Sequence, residues 1–168
     1  DPQTLVRRWA VPGQKGFEHR VGGLEKNHQG VISSDPQNHE IMVAEREEKV
    51  RRIAEFIPEL EVEGEKNGKV LIVSWGGTYG HVVAAYQELV AAGKEVSFAH
   101  FDFIRPLPKN TKQVFSGFGK IVVCELNCGQ FAAYLRNELP EFDYVNVNKV
   151  QGQPFLVSEL VEAIEKSL

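Results

Sequence analysis

The run Lys69-Val70-Leu71-Ile72-Val73-Ser74, bounded by Gly68 and by Trp75-Gly76-Gly77, decides how this chain reads. Four consecutive apolar residues between glycines are too few for a helix, and they lack the alternation of a strand with one face in water. Such a run suits a strand covered on both faces, as in a parallel sheet. The pattern then repeats. Val82, Val83, Tyr86, Leu89 and Val90 fall at helical spacing before a stop at Gly93, and residues 96–104 read as a second strand with Val96, Phe98 and His100 alternating. After Pro106-Leu107-Pro108 come a short helix over 111–118, a buried-type strand at 120–125 and a helix over 130–139 that Pro140 closes. A shorter strand at 144–147 and an amphipathic helix over 157–168, with Leu160, Val161 and Ile164 inward, complete the series. Strands separated by helices imply parallel neighbours joined by right-handed crossovers. The expected fold is therefore a three-layer α/β/α sandwich around a mostly parallel sheet of about five strands.

Upstream of this series the character changes. Residues 1–40 are rich in Gly, Pro, His and Asn, with weak strand signals only at 19–21 and 31–33. From Ile41, the residues Val43, Val50, Ile53, Ala54 and Ile57 suit one face of a helix running to Pro58, with Asp35-Pro36 as a start signal. The acidic stretch 59–68 reads as a solvated linker. The expected division is an irregular segment at 1–40, joining to an upstream part, and an α/β domain at 41–168. The chain opens with Asp1-Pro2 and its single methionine is Met42, so it reads as a piece of a longer protein.

Composition narrows the function. A length of 168 residues suits about one domain, and 42% hydrophobic with 25% charged residues is ordinary for a soluble globular protein. No apolar stretch approaches the roughly 20 residues of a membrane span. A formal charge of −4 offers no basic stripe for a phosphate backbone, so nucleic acid is not an expected partner. Two cysteines are too few for a disulfide framework and no secretory segment is visible, which favours the cytoplasm.

In an open parallel sheet, ligands or partners meet the carboxyl ends of the strands. The loops to examine are therefore Trp75-Gly76-Gly77-Thr78-Tyr79-Gly80 and Leu126-Asn127-Cys128-Gly129-Gln130. Gly76, Gly77 and Gly80 permit a sharp turn, and amides at the next helix's start could hold an anion. The spacing is neither a dinucleotide fingerprint nor a P-loop, so a structural turn is the simpler reading. Cys124 and Cys128 supply two ligands where a zinc or iron–sulfur centre takes about four. Cys124 reads as a buried structural thiol and Cys128 as the more reactive of the two. His19, His28 and His39 lack metal-ligand spacing, and neither His81 nor His100 has a nucleophile beside it in sequence. Glu125, at a strand end, points at a possible crevice, or else orders the Asn127 loop by a hydrogen bond. An independent anion-binding module and an enzyme using Cys128 as nucleophile are the competing readings at this level.

Seven runs, in order, carry a resemblance across nearly the whole chain: Pro12-Gly-Gln-Lys-Gly-Phe-Glu-His-Arg20, Gly23-Leu-Glu-Lys26, Ser34-Asp-Pro-Gln-Asn-His39, Arg46-Glu-Glu-Lys-Val50, Ser74-Trp-Gly-Gly-Thr-Tyr-Gly80, Arg105-Pro-Leu-Pro108 and Glu125-Leu-Asn-Cys-Gly-Gln130. Together they resemble the alpha subunit of 2-oxoglutarate:ferredoxin oxidoreductases. The resemblance implies a C-terminal domain similar to that of transketolase, a mixed sheet with one antiparallel edge strand, for which the N-terminal region is the expected source. It also implies, for the whole enzyme, oxidative decarboxylation of 2-oxoglutarate with coenzyme A, thiamine diphosphate, magnesium and iron–sulfur or ferredoxin electron transfer. The expected partners are the rest of the alpha subunit and a thiamine-binding beta subunit, in an oligomer. No catalytic, cofactor-binding or metal-binding residue is expected in this piece. Its expected role is assembly, with Gly76, Gly77, Thr78, Tyr79, Arg105, Glu125, Asn127 and Gln130 as interface candidates.

Overall fold

The computed structural model describes residues 1–19 and 22–168. They group into two compact units, Asp1–Phe56 and Ile57–Leu168. In the first unit, helix α1 runs Pro36–Arg52 and tightens into a 3₁₀ turn at Ile53–Glu55. Asp35 caps it, accepting the amides of Gln37 at 3.4 Å and Asn38 at 3.1 Å, and Pro36 takes the first helical position, where no amide partner is needed. The helix thus starts and ends about a turn earlier than the apolar pattern implied, because the cap fixes its start. No α1 residue is buried, and Ile41, Val43 and Ile53 stay exposed. The sequence boundary at 40/41 set this helix with the α/β part. Within its own unit, Arg52 bonds the Pro2 and Gln3 carbonyls, Glu45 pairs with His28, and Arg46 with Glu25. The strand signal at 31–33 reduces to one antiparallel bridge, Lys26 with Ile32. The signal at 19–21 lies outside the described residues.

The second unit is built on strands β1 (Gly68–Trp75), β2 (Val96–Phe101), β3 (Phe118–Glu125) and β4 (Tyr144–Asn148). They form one sheet in the order β2-β1-β3-β4, with every pairing parallel. Helix α2 (Tyr79–Ala91) links β1 to β2, α3 (Thr111–Phe115) precedes β3, α4 (Gln130–Glu138) links β3 to β4, and α5 (Val157–Glu165) follows β4. Alternate residues of each strand feed opposite cores. Leu71, Val73, Ala99, Phe101, Ile121 and Val123 pack with Phe115, Phe131 and Leu135 of α3 and α4. Val70, Ile72, Phe98, Val122 and Cys124 pack with Val82 and Leu89 of α2 and with Leu160 and Ile164 of α5. Complete burial of such side chains stabilises by about 1.5–3 kcal/mol each, which is why the continuous apolar runs became central strands. Helices on both faces give the three-layer α/β/α sandwich.

The sheet has four strands rather than about five. The antiparallel partner shrinks to a single bridge, and it comes from the linker rather than from residues 1–40. Glu63 exchanges both backbone hydrogen bonds with Phe98, at 2.8 and 2.9 Å, beside edge strand β2. At the next residue, Gly64 (φ 91°), the chain turns away, and a Cβ there would lie 2.9 Å from the Tyr86 hydroxyl. Nor is the linker wholly solvated. Leu60 is buried, and both its backbone groups bond the Asn110 side-chain amide, at 2.8 and 2.9 Å. Strand β2 stops at Phe101 instead of 104, and α3 stops at Phe115 so that Phe118 can open β3.

Candidate functional site

Strand order reverses between β1 and β3, so the crevice at which doubly wound sheets receive ligands lies between their carboxyl ends. Here the protein's own side chains fill it. The Trp75 indole N–H donates to Glu125 Oε2 at 3.4 Å, and its ring lies 6.2 Å from that of Phe131. Glu125 is fully buried, its carboxylate accepting the Phe131 amide at 2.7 Å and the Ala132 amide at 2.9 Å. Asn127 Oδ1 accepts the amides of Gly129 and Gln130 at 2.8 and 2.9 Å, and the Ala133 amide reaches the Gly129 carbonyl at 2.9 Å. The first turn of α4 is thereby satisfied from within. Glu125 neither faces an open crevice nor orders the Asn127 loop; it caps the helix, and Asn127 shapes the loop itself. Gly129 holds the turn at φ 90°, against the Asn146 and Asn148 side chains.

Ser74 and His100 are register neighbours on β1 and β2, and Ser74 Oγ shares a 2.7 Å hydrogen bond with His100 Nδ1. Nε2 of His100 stands 4.0 Å from Asp102 Oδ1, and the Tyr79 ring meets the imidazole edge-on at 5.0 Å. Burial pushes the His100 pKa down, with the Asp102 charge opposing. The order Ser, His, Asp evokes a hydrolase triad, but the Ser74 side chain is wholly buried and no substrate reaches its hydroxyl. This pair was invisible in the sequence, because it depends on knowing that β1 and β2 are adjacent and in register.

The interface candidates divide by exposure. Gly76 and Gly77, in a 3₁₀ turn at Gly76–Thr78, are exposed, as are Tyr79, Arg105 and Gln130, while Asn127 is half-buried. Thr78 and Glu125 point inward, Thr78 donating its hydroxyl to the Trp75 carbonyl at 2.7 Å. One feature escaped the sequence reading. The first exposed large apolar residue after each of the four strands is, in sheet order, Phe103 (43%), Tyr79 (46%), Leu126 (38%) and Val150 (65%). Each is unremarkable alone, and the row exists only once the strand order is known.

Redox and metal chemistry find little support in this residue set. Burial pushes the Cys124 thiol up to about 12, with the neighbouring Glu125 charge adding to it, while Cys128 is exposed. Among the described residues no group of three or more His, Cys, Asp or Glu side chains could hold a metal. His19 bonds the Phe17 carbonyl, His28 pairs with Glu45, and His39 pairs with Glu25. Two cysteines, one of them buried, fall short of the four ligands an iron–sulfur cluster takes. Among the described residues no helix is long and apolar enough to cross a membrane.

Comparison with known proteins supplies the family. The 2-oxoglutarate oxidoreductase subunit KorA of Mycobacterium tuberculosis is 38% identical over 170 residues, a match covering 100% of this chain and 26% of that subunit. Subunit alpha of 2-oxoacid:ferredoxin oxidoreductase 2 from Aeropyrum pernix is 29% identical over 153 residues, covering 88% of this chain and 24% of that subunit. A solved 2-oxoglutarate:ferredoxin oxidoreductase from Magnetococcus marinus, with 2-oxoglutarate, coenzyme A and succinyl-CoA bound, matches at a TM-score of 0.84 and 29% identity, over 98% of this chain and 29% of that one. No protein-family model matches the sequence. This chain spans about a quarter of the length of the curated relatives it matches. By sequence and by fold, it is homologous to the C-terminal domain of the alpha subunits of 2-oxoacid:ferredoxin oxidoreductases.

Proposed function

We propose that this chain is a non-catalytic assembly domain of a cytoplasmic, thiamine-diphosphate-dependent 2-oxoacid:ferredoxin oxidoreductase. Its partners in this reading are the rest of the alpha subunit and a thiamine-binding beta subunit. The whole enzyme makes acyl-CoA, carbon dioxide and reduced ferredoxin, and 2-oxoglutarate is the favoured oxoacid because the relative at 38% identity is named for it. The observation that carries the assembly role is the row Phe103, Tyr79, Leu126 and Val150. Exposed apolar side chains that follow neighbouring parallel strands, in the same strand-end segments as Gly76, Gly77, Arg105, Asn127 and Gln130, suit a protein surface, where aromatic and aliphatic anchors contribute most of the binding energy.

The chemistry of the crevice supports the same reading. An anion at the start of α4 would compete with the Glu125 carboxylate for the Phe131 and Ala132 amides, which already have the stronger, built-in partner. Calorimetry of the chain with coenzyme A, magnesium–thiamine diphosphate and 2-oxoglutarate, each offered alone, tests the non-catalytic part. No measurable heat is expected. A micromolar Kd for any of the three, or turnover of the oxoacid by the chain alone, would contradict it.

A further inference from the structure

The sheet ends on β4, and the outer edge of that strand is open. Its ladder to β3 starts with the Ile121 amide on the Asp143 carbonyl at 2.8 Å and ends with the Lys149 amide on the Glu125 carbonyl at 3.0 Å. Parallel pairing alternates, so Val145 and Val147 give their backbone groups to β3, while those of Tyr144, Asn146 and Asn148 point outward. The opposite edge, on β2, is bridged by Glu63; among the described residues no bridge covers β4. Open edges are ordinarily guarded by a proline, a bulge or a charge, and Tyr144–Asn148 carries none of these. Arg136 Nη2 reaches the Tyr144 carbonyl at 2.9 Å and Asn146 Oδ1 at 2.7 Å, but a carbonyl keeps a second lone pair for another donor. On the other face of the strand, a groove of about 400 Å³ lies between β4 and α5, lined by Val145, Val147, Glu159, Glu162 and Lys166.

We propose that this edge pairs antiparallel with β4 of a second copy of the chain, about a two-fold axis at Asn146, so that one sheet runs through the dimer. The strand is complementary to itself in that register alone. Outward residues meet outward residues: Asn146 faces Asn146 of the second copy and Tyr144 faces Asn148 of the second copy, giving roughly six backbone hydrogen bonds. Val145 falls opposite Val147 of the second copy, in the closer pairs that lack hydrogen bonds, and closes the groove. One step further out, Asp143 falls opposite Lys149 of the second copy, and symmetry makes this pair twice. Among the described residues Asp143 is exposed and makes no ion pair, while Lys149 Nζ, bonded to Glu159 at 2.7 Å, has donors to spare. Moving the axis by one residue sets Asp143 against Val147 or Gln151 and loses both charge pairs.

Sedimentation equilibrium of the 168-residue chain reads the dimer. The contact is small, so a Kd of about 1–100 μM is expected. Asp143→Lys and Lys149→Asp each set like charges opposite one another twice, and each variant alone is expected to dimerise at least about tenfold more weakly. Mixed in equal amounts, the two variants regain both opposite-charge pairs, and a heterodimer within about threefold of the wild-type affinity is expected. Circular dichroism and urea midpoints report whether each variant is folded. Asp143 is exposed, so Asp143→Lys carries the test even where Lys149→Asp, which also deserts Glu159, destabilises the chain. A wild-type chain that stays monomeric to about 1 mM, its edge left to some other polypeptide, would overturn the proposal. So would a dimer indifferent to Asp143→Lys, or two folded variants that do not pair when mixed.

Discussion

The buried carboxylate of Glu125 holds the Phe131 amide at 2.7 Å, so the last residue of β3 caps the helix that follows it. With Ala132 and the Trp75 indole, one carboxylate gathers three donors at the strand-order switch. Glu125→Ala is expected to leave these donors without their acceptor and to lower stability by about 2–4 kcal/mol. Urea denaturation measures this, and a loss under about 1 kcal/mol would show that Glu125 is not the cap.

At Gly129, φ is 90°, and a Cβ would come 2.5 Å from Asn146 Nδ2. Asn146 is not free to retreat, since its Oδ1 accepts a hydrogen bond from Arg136 at 2.7 Å. Gly129→Ala is expected to cost about 1–3 kcal/mol through backbone strain and this contact. The urea midpoint should fall with the slope unchanged.

The two thiols should differ sharply in reactivity. A thiol at about 12 leaves roughly one Cys124 in 10⁵ ionised at pH 7, and burial shields it further. Iodoacetamide on the native chain is expected to add one label, at Cys128, by peptide mapping, with the second appearing only in denaturant. Rapid double labelling of folded protein would contradict the buried position of Cys124.

His100 sets a further sign. Its folded pKa is depressed, mainly by burial and against the pull of Asp102. The unfolded chain therefore takes up its proton first, and stability falls as pH drops below the ordinary imidazole range near 6.5, reaching its limit below the folded pKa. Comparing urea midpoints at pH 7.5 and 5.5, the acid loss should shrink in His100→Phe and grow in Asp102→Asn, which removes the compensating charge. Identical pH responses in all three proteins would refute the assignment.

How much of this was legible beforehand depends on whether a feature is local. Val70 to Val73 and Ile121 to Cys124 announce strands covered on both faces, and Asp35-Pro36 announces a helix start, because each is set by neighbours in sequence. The α1 face was misread because Ile41, Val43 and Ile53 share a helix with so many charged residues that the spacing alone did not imply burial. The Ser74–His100 pair, the cap made by Glu125, and the row Phe103, Tyr79, Leu126 and Val150 all depend on which strands lie side by side. Pairing of that kind is decided by long-range packing, so the motif-bearing loops could be found from sequence but their inward and outward residues could not.

The most direct test of the assembly role is a graft. The matching stretch of the Mycobacterium tuberculosis subunit is replaced by this chain, and the hybrid is compared with versions carrying Tyr79→Asp plus Leu126→Asp or Gln130→Arg. Size-exclusion chromatography with light scattering reads complex formation, and stability of the separately expressed 168-residue chain carrying the same substitutions controls for folding. The account predicts that the unsubstituted hybrid assembles and that the apolar-row and Gln130 variants fold but assemble at least about tenfold more weakly. Assembly of those variants indistinguishable from the unsubstituted hybrid would contradict it.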